Sequence, residues 1–340
     1  MESLIYLFLI SIIFLFLNIM LVKKKYLLSF SGDNHQKYTS KNNIPLTGGI
    51  LLFALILFFF NENYLLFKLF AFLIILLGIV SDLKIIHSAN KRLTFQLLIL
   101  FLFIFLNDLN LSITRIDFLD NLLLNKYFNY FFLLFCILIV INGSNFIDGL
   151  NTLNLGYFSI VISIIYFLNI DGQIIFHDNT VGLFLIFLSF IFLLNFLNLI
   201  FLGDSGSYLM GFCSAYILIS IYNLNNNISP FFIILLLWYP CFETLFSIIR
   251  KNLMKKSPMK PDVIHLHQLI YYYLSLKFKF KVIFINLFTA NIINLYNFVV
   301  FFIGKHFIYN TKMQIFLILL SLLVYMTIYF KLYNFKKKRV

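Results

Sequence analysis

Charge is scarce in this chain. Only 11% of its 340 residues are Asp, Glu, Lys or Arg, while 62% are hydrophobic. A soluble domain carries about 25% charged and about 45–50% apolar residues. The deficit excludes an ordinary soluble protein, because runs such as YFNYFFLLFCILIV (127–140) and GYFSIVISIIYFL (156–168) leave no polar face for water. Cysteine is nearly absent as well. Cys136, Cys213 and Cys241 sit singly in apolar segments, which excludes a disulfide framework and a thiolate metal site. No Pro/Gly/Ser-rich linker and no internal repeat divides the chain, so residues 1–340 read as one integral-membrane domain. The opening LIYLFLISIIFLFLNIMLV lacks both the basic start and the small-residue cleavage site of a signal peptide, and reads as a retained helix.

What remains is a series of apolar segments long enough to cross a bilayer, which takes about 20 residues, with about 17–25 common. Eleven are expected, at about 3–22, 45–60, 64–80, 95–106, 127–141, 157–169, 181–201, 207–222, 230–249, 281–303 and 313–331. The fold class is therefore an all-α polytopic bundle in the lipid bilayer. Lysine and arginine orient it. With the N-terminus outside and the C-terminus cytoplasmic, the connections 23–44, 81–94, 142–156, 202–206 and 250–280 and the tail face inward. Counting Lys281 and Lys331 with the inward stretches that they border, 21 of the 26 basic residues lie inside. Five lie outside: Lys68, Arg115, Lys126, Lys305 and Lys312. A membrane protein with these connections on its cytoplasmic side is expected, and nucleic acid is not an expected partner.

The few acids divide in the same way. Asp33, Asp82, Asp148, Asp204 and Asp262 fall on the inward side, with Glu243 near the inner end of the ninth segment. Each interrupts a greasy stretch, as in INGSNFIDGLN (141–151). The outward acids, among them Asp108, Asp117, Asp120 and Asp171, lie in ordinary polar loops. Carboxylates from five separate connections thus meet one membrane face. Oxygen ligands without cysteine suit a hard cation such as Mg²⁺, with Mn²⁺ as a substitute. The same face carries Arg250, Lys251, Lys255, Lys256 and Lys260, followed by His265 and His267. Acids for a metal beside bases for anions is the pattern of phosphate chemistry. Taken singly, a loop aspartate reads as a helix cap and a juxtamembrane lysine as a topology signal; their convergence points to a site. A carrier would place its binding groups near the bilayer midplane, whereas these crowd one face. GDSGS offers Ser205 as a nucleophile, but it lacks the final glycine of G-x-S-x-G and leaves Asp148 and Asn145 without a role.

NIPLTGGI (43–50), NGSNFIDGLN (142–151), FLGDSGSYLMGF (201–212) and SPMKPDVIHLHQLI (257–270), with GIVSDLKIIHSANKRLTFQ (78–96) as a weaker fifth, resemble the polyprenyl-phosphate N-acetylhexosamine-1-phosphate transferases, glycosyltransferase family 4. The resemblance implies Mg²⁺-dependent transfer of a sugar-1-phosphate from a UDP-sugar to polyprenyl (undecaprenyl) phosphate, with release of UMP. This would be the first membrane step of a cell-surface polysaccharide. It further implies that Asp82, Asp148 and Asp204 are catalytic, with Asp204 and Asp148 at the metal. Lys41, Arg92, Asn145, Asn151, His265 and His267 would bind the substrates. Gly48 and Gly49 would either admit a phosphate or pack helices. A homodimer is compatible with this reading.

The chain departs from the family pattern at several places. Ser81 stands before Asp82 where an Asp pair is usual, and Asn151 replaces a second acid. Gln268 replaces a further histidine, Ile264 an arginine, and Glu243 an aspartate. The peptidoglycan-precursor branch, which transfers phospho-N-acetylmuramoyl-pentapeptide, is the alternative within the family. The eleventh segment, the inward KKKR tail and HLHQ resemble the polysaccharide-initiating branch instead.

Overall fold

The computed structural model describes residues 2–28, 44–175, 180–257 and 262–339. Asp33, Lys41 and most of the first inward connection lie outside the described residues, as does Lys260. All eleven expected segments are helical. They are α1 (Glu2–Lys24), α2 (Gly48–Phe59), α3 (Leu65–Asp82), α4 (Ala89–Leu106), α6 (Lys126–Ile147), α7 (Leu153–Ile170), α8 (Thr180–Phe196), α9 (Gly203–Leu224), α10 (Pro230–Leu253), α12 (Val282–His306) and α13 (Thr311–Lys337). Two further helices occupy connections, α5 (Asp117–Leu123) and α11 (Leu266–Lys277). Among the described residues the only β-type pairing is an isolated bridge between Leu28 and Pro45. In hydrocarbon each backbone N–H and C=O needs a partner within its own segment, and the helix supplies one. Among the described residues eight helices (α3, α4, α6, α7, α9, α10, α12 and α13) are long and apolar enough to cross a membrane, and α2 and α8 are shorter apolar helices. The protein is an all-α polytopic membrane protein.

Helix also continues into stretches that read as connections. α6 runs to Ile147 through Asn142, Ser144 and Asn145, and α9 begins at Gly203, so the polar GDSGS is its first turn. Hydropathy ends a span where polar residues begin, but these side chains are satisfied between helices. Asn142 Nδ2 donates to Gln96 Oε1 at 3.0 Å, and Ser144 Oγ donates to the Ser207 carbonyl at 2.7 Å. The connection after α6 shrinks to residues 148–152.

α9 lies at the centre, packed by α2, α3 and α6 and buried over most of its surface. Its first half is rich in small residues, which let helix backbones approach where apolar burial alone does not drive association. A Cβ at Gly49 would collide with the backbone of Gly206, and one at Gly78 with that of Ser205. Of the two roles open to Gly49, helix packing is the one seen. Around this centre α10 packs on α6, α7 on α8 and α12, and α13 on α10 and α11. The ends of α3, α6 and α9 that carry Asp82, Asp148 and Asp204 therefore meet at one end of the bundle.

Candidate functional site

The acid cluster begins with Asp82, the last residue of α3. Its Oδ1 accepts the backbone N–H of Asp204 at 2.8 Å, and its Oδ2 that of Ser205 at 3.1 Å. A carboxylate at a helix N-terminus satisfies otherwise unpaired N–H groups and sits at the positive end of the helix dipole. Gly203 makes room for it: φ is +69°, and a Cβ would meet the Asp82 carboxylate. Asp82 thus fixes the start of α9 and the direction of Asp204. Asp204 Oδ2 accepts from Ser81 Oγ at 2.5 Å and from Arg92 Nη1 at 2.8 Å. Arg92 Nη1 also donates to Ser81 Oγ at 2.8 Å. Ser81, which stands where a paired acid was expected, is a hinge between anion and cation. Arg92 and Asp204 remain about a quarter exposed, at 27% and 25%, so both reach solvent.

Asp148 follows the last turn of α6. Burial, then the charges of Asp204 and Asp82, raises its carboxyl well above the usual carboxylate range. Among the described residues its side chain accepts no hydrogen bond. Asn145, one turn earlier, accepts from Ser207 Oγ at 2.9 Å and so ties α6 to α9. Asn151 is placed differently. Its N–H donates to Asn286 Oδ1 at 2.9 Å and its Nδ2 to Asn198 Oδ1. It braces the connection against α12 and the end of α8 and is not joined to the acids.

The two histidines are both buried and differ in their partners. His265 Nδ1 lies 2.9 Å from Glu243 Oε1, and Nε2 lies 3.0 Å from Asp262 Oδ1. Burial opposes its charge, but the bonds to Asp262 and Glu243 prevail and raise its pKa. Asp262 is also burdened by burial, yet His265 and then Arg250 bring it down to about 2. His267 is fully buried, and neither ring nitrogen has a partner among the described residues. Burial, then the charge of His265, pushes it down to about 3, so it is neutral at working pH. A Cβ at Gly149 would collide with His267 Nε2, which brings the histidine segment against the residue after Asp148. Phe146 packs on His265 at 5.3 Å between ring centroids. Residues 145–149 are the seam between the acids and the histidines. Gln268, in place of a histidine, accepts the His265 N–H at 3.1 Å and fixes the start of α11.

Sequence reading singled out Ser81 only as a departure from the family pattern and did not find the other partners that hold this arrangement. Ser81 donates to the Asp204 carboxylate and Ser207 to the Asp204 backbone carbonyl at 3.4 Å, with Tyr208 nearby. Tyr325 and Tyr329 lie far along the chain on α13. The only signal they offered was a pair of polar tips one helical turn apart in an apolar helix. Among the described residues no three His, Cys, Asp or Glu side chains are grouped closely enough to enclose a metal ion. Mg²⁺ is usually held by one or two carboxylates with substrate phosphates completing its shell. An all-oxygen donor set with mutual repulsion fits such an ion.

The family model described as glycosyl transferase family 4 matches residues 64–222, a stretch containing Asp82, Arg92, Asn145, Asp148, Asn151 and Asp204 but neither histidine. A "Probable undecaprenyl-phosphate N-acetylglucosaminyl 1-phosphate transferase" of Bacillus subtilis is 29% identical over 201 residues, 58% of this chain and 55% of that protein. The chain thus spans about half the length of this relative. An undecaprenyl-phosphate alpha-N-acetylglucosaminyl 1-phosphate transferase of Salmonella typhi is 28% identical over 287 residues, 79% of this chain and 76% of that protein. The protein of that name in Escherichia coli is 29% identical over 284 residues, with the same two shares.

Proposed function

We propose that this chain is a member of glycosyl transferase family 4, whose model and relatives it matches, and that it transfers N-acetylhexosamine-1-phosphate from a UDP-sugar to undecaprenyl phosphate and releases UMP. The product would open a cell-surface polysaccharide. The observation that carries the reading is the meeting of Asp82, Asp148 and Asp204, from three helices, beside a solvent-reaching Arg92. The names of the relatives support the substrate pair. On the same reading the chain crosses the plasma membrane eleven times, with the N-terminus outside and the site on the cytoplasmic face. The 21 inward basic residues support that orientation.

The chemistry asks for charge control more than for a strong base. A lipid phosphate already carries about −1.5 to −2 charges at neutral pH. Two unit charges about 4 Å apart repel by about 4 kcal/mol at an effective dielectric near 20. Asp204 and Asp148 are the residues that would hold Mg²⁺, which when bound would supply positive charge to offset that of the phosphates. Arg92 adds a fixed cation beside them, with its guanidinium oriented by Ser81 and Asp204. Asp82 keeps the first turn of α9 in place, so Asp204 does not have to reorganise during the reaction. His267, neutral and with both nitrogens open, is suited to hydrogen-bonding the donor rather than neutralising it.

Membranes containing the protein, supplied with Mg²⁺, a UDP-N-acetylhexosamine and undecaprenyl phosphate, are expected to form a lipid-linked sugar diphosphate and UMP. UDP as the second product would mean transfer at the sugar carbon and would overturn the reading. Efficient use of UDP-N-acetylmuramoyl-pentapeptide would keep the chemistry and change the donor.

A further inference from the structure

A chain of polar contacts runs through His265 and both begins and ends on α13. On one side Tyr325 Oη donates to Glu243 Oε2 at 2.8 Å, and Glu243 Oε1 meets His265 Nδ1 at 2.9 Å. On the other side Arg250 Nη1 donates to Tyr329 Oη at 2.7 Å and Arg250 Nη2 to Asp262 Oδ2 at 2.7 Å. Asp262 Oδ1 then lies 3.0 Å from His265 Nε2. Tyr325 and Tyr329 are one helical turn apart on one face of α13, with rings stacked 6.0 Å apart. Lys336, two turns on, donates to the Val263 carbonyl at 3.0 Å. α13 therefore holds the segment 262–265 directly through Lys336 and indirectly through Glu243 and Arg250 of α10.

The two imidazoles diverge as a result. Each nitrogen of His265 faces a carboxylate, so the ring has nothing left to offer a ligand. The His267 ring stacks parallel to it, 5.7 Å between centroids and 9° between planes. It is fully buried, with two nitrogens that have no partner among the described residues, at the edge of the Asp148–Gly149 connection. A buried polar group left unpaired is costly, and such groups mark places where a further partner binds.

We propose that Tyr325 and Tyr329 are positioning residues that act through His265 to fix the ring of His267, and that of the two histidines only His267 contacts the sugar nucleotide. This assignment rests on the donor named under the proposed function. It gives α13, far in sequence from the acids, a role in donor affinity, and it makes His265 part of the support rather than of the binding surface.

The test uses full-length protein in membranes, with Tyr325→Phe and Tyr329→Phe each deleting one hydroxyl. For each variant the KM for the UDP-sugar, the KM for undecaprenyl phosphate and kcat are measured, in the native background and with His267→Ala. Each tyrosine variant is expected to raise the donor KM about fivefold, the effect of one hydrogen bond, and to leave the acceptor KM unchanged. With His267→Ala in place the further rise is expected to vanish. An unmoved donor KM overturns the assignment, as does an equal rise without His267. A fall in kcat with both KM values intact also overturns it, because that is the signature of lost folded protein. Wild-type membranes that release no UMP would overturn the donor reading and this assignment with it. Wild-type turnover with unmoved variants would overturn the assignment alone.

Discussion

Asp108 and Asp204 each pair with a basic side chain at 2.8 Å, and there the likeness between the two ends of the bundle stops. Asp108 and Lys126 are about two-thirds exposed, and bonds from Lys126 and Tyr130 hold the Asp108 carboxyl below its usual range. Near them Asp120 takes the N–H and the hydroxyl of Thr114, and Lys305 pairs with Asp171 at 2.7 Å. Arg115 donates to Thr311 and to the carbonyls of Tyr309, Asn227 and Ile228. Each of these charges is answered by another part of the chain. About 33 Å away, at the far end of the 22-residue α6, Asp204 pairs with Arg92 while the Asp148 charge is opposed by two other carboxylates, and a buried imidazole has no partner among the described residues. Charges placed for stability close their own accounts; charges placed for a ligand leave a remainder that the ligand completes.

Neutralising one carboxylate at each end is the strongest way to break that contrast. Asp204→Asn keeps acceptors for Ser81 and Arg92, so the fold should survive, but the site loses a fixed charge facing the phosphates. Turnover is expected to fall about a hundredfold or more at any Mg²⁺ concentration. Asp108→Asn, which breaks a solvated pair, should leave it within about threefold. Equal losses at both ends, measured as UMP released per folded protein, would erase the distinction.

Ser81→Ala sharpens it with a smaller expected effect. The hydroxyl donates to Asp204 at 2.5 Å and accepts from Arg92 at 2.8 Å. Its removal should cost about tenfold in kcat, the scale of one hydrogen bond to a charged group. A loss as large as that from Asp204→Asn would mean that the hydroxyl stands in for the absent acid.

The contrast was partly legible in the sequence. Long apolar runs predict the helices because helix is the conformation that satisfies an isolated backbone in lipid, and every expected segment is helical. The acids at 82, 148 and 204 stood out because each interrupts such a run. Helix ends were not legible. Asn142, Ser144 and Asn154 read as loop residues, yet Asn154 Nδ2 reaches the Ser144 carbonyl at 2.8 Å inside the bundle. Polarity marks water only where no other helix supplies a partner. The α13 tyrosines were hidden for another reason. Tyr325 meets Glu243 across 82 positions, and no local pattern encodes a contact between helices that far apart.

The smallest expected effect is a pH dependence confined to the end that carries His265. A histidine whose folded pKa is raised adds stability that is fully present below its ordinary value of 6.5 and is lost as pH climbs through the folded value. Asp262, lowered to about 2 from 3.8, contributes above 3.8 and loses that contribution only as pH falls through about 2, outside any working range. His267, lowered to about 3, works in the opposite sense to His265: protons taken up by the unfolded chain below 6.5 destabilise the fold on the acid side. The alkaline limb of the stability profile should therefore carry a His265 contribution of at most about 1.4 kcal/mol per pH unit, beside that of Asp148, whose raised carboxyl also loses stability as pH climbs, and His265→Gln should make the limb shallower. Asp108→Asn should leave the same limb unchanged, since that pair lies in solvent and titrates far from neutrality. An alkaline limb as steep in His265→Gln as in the wild type would show that the ring is not held as a cation between Glu243 and Asp262, and the support assigned to α13 would lose its central member.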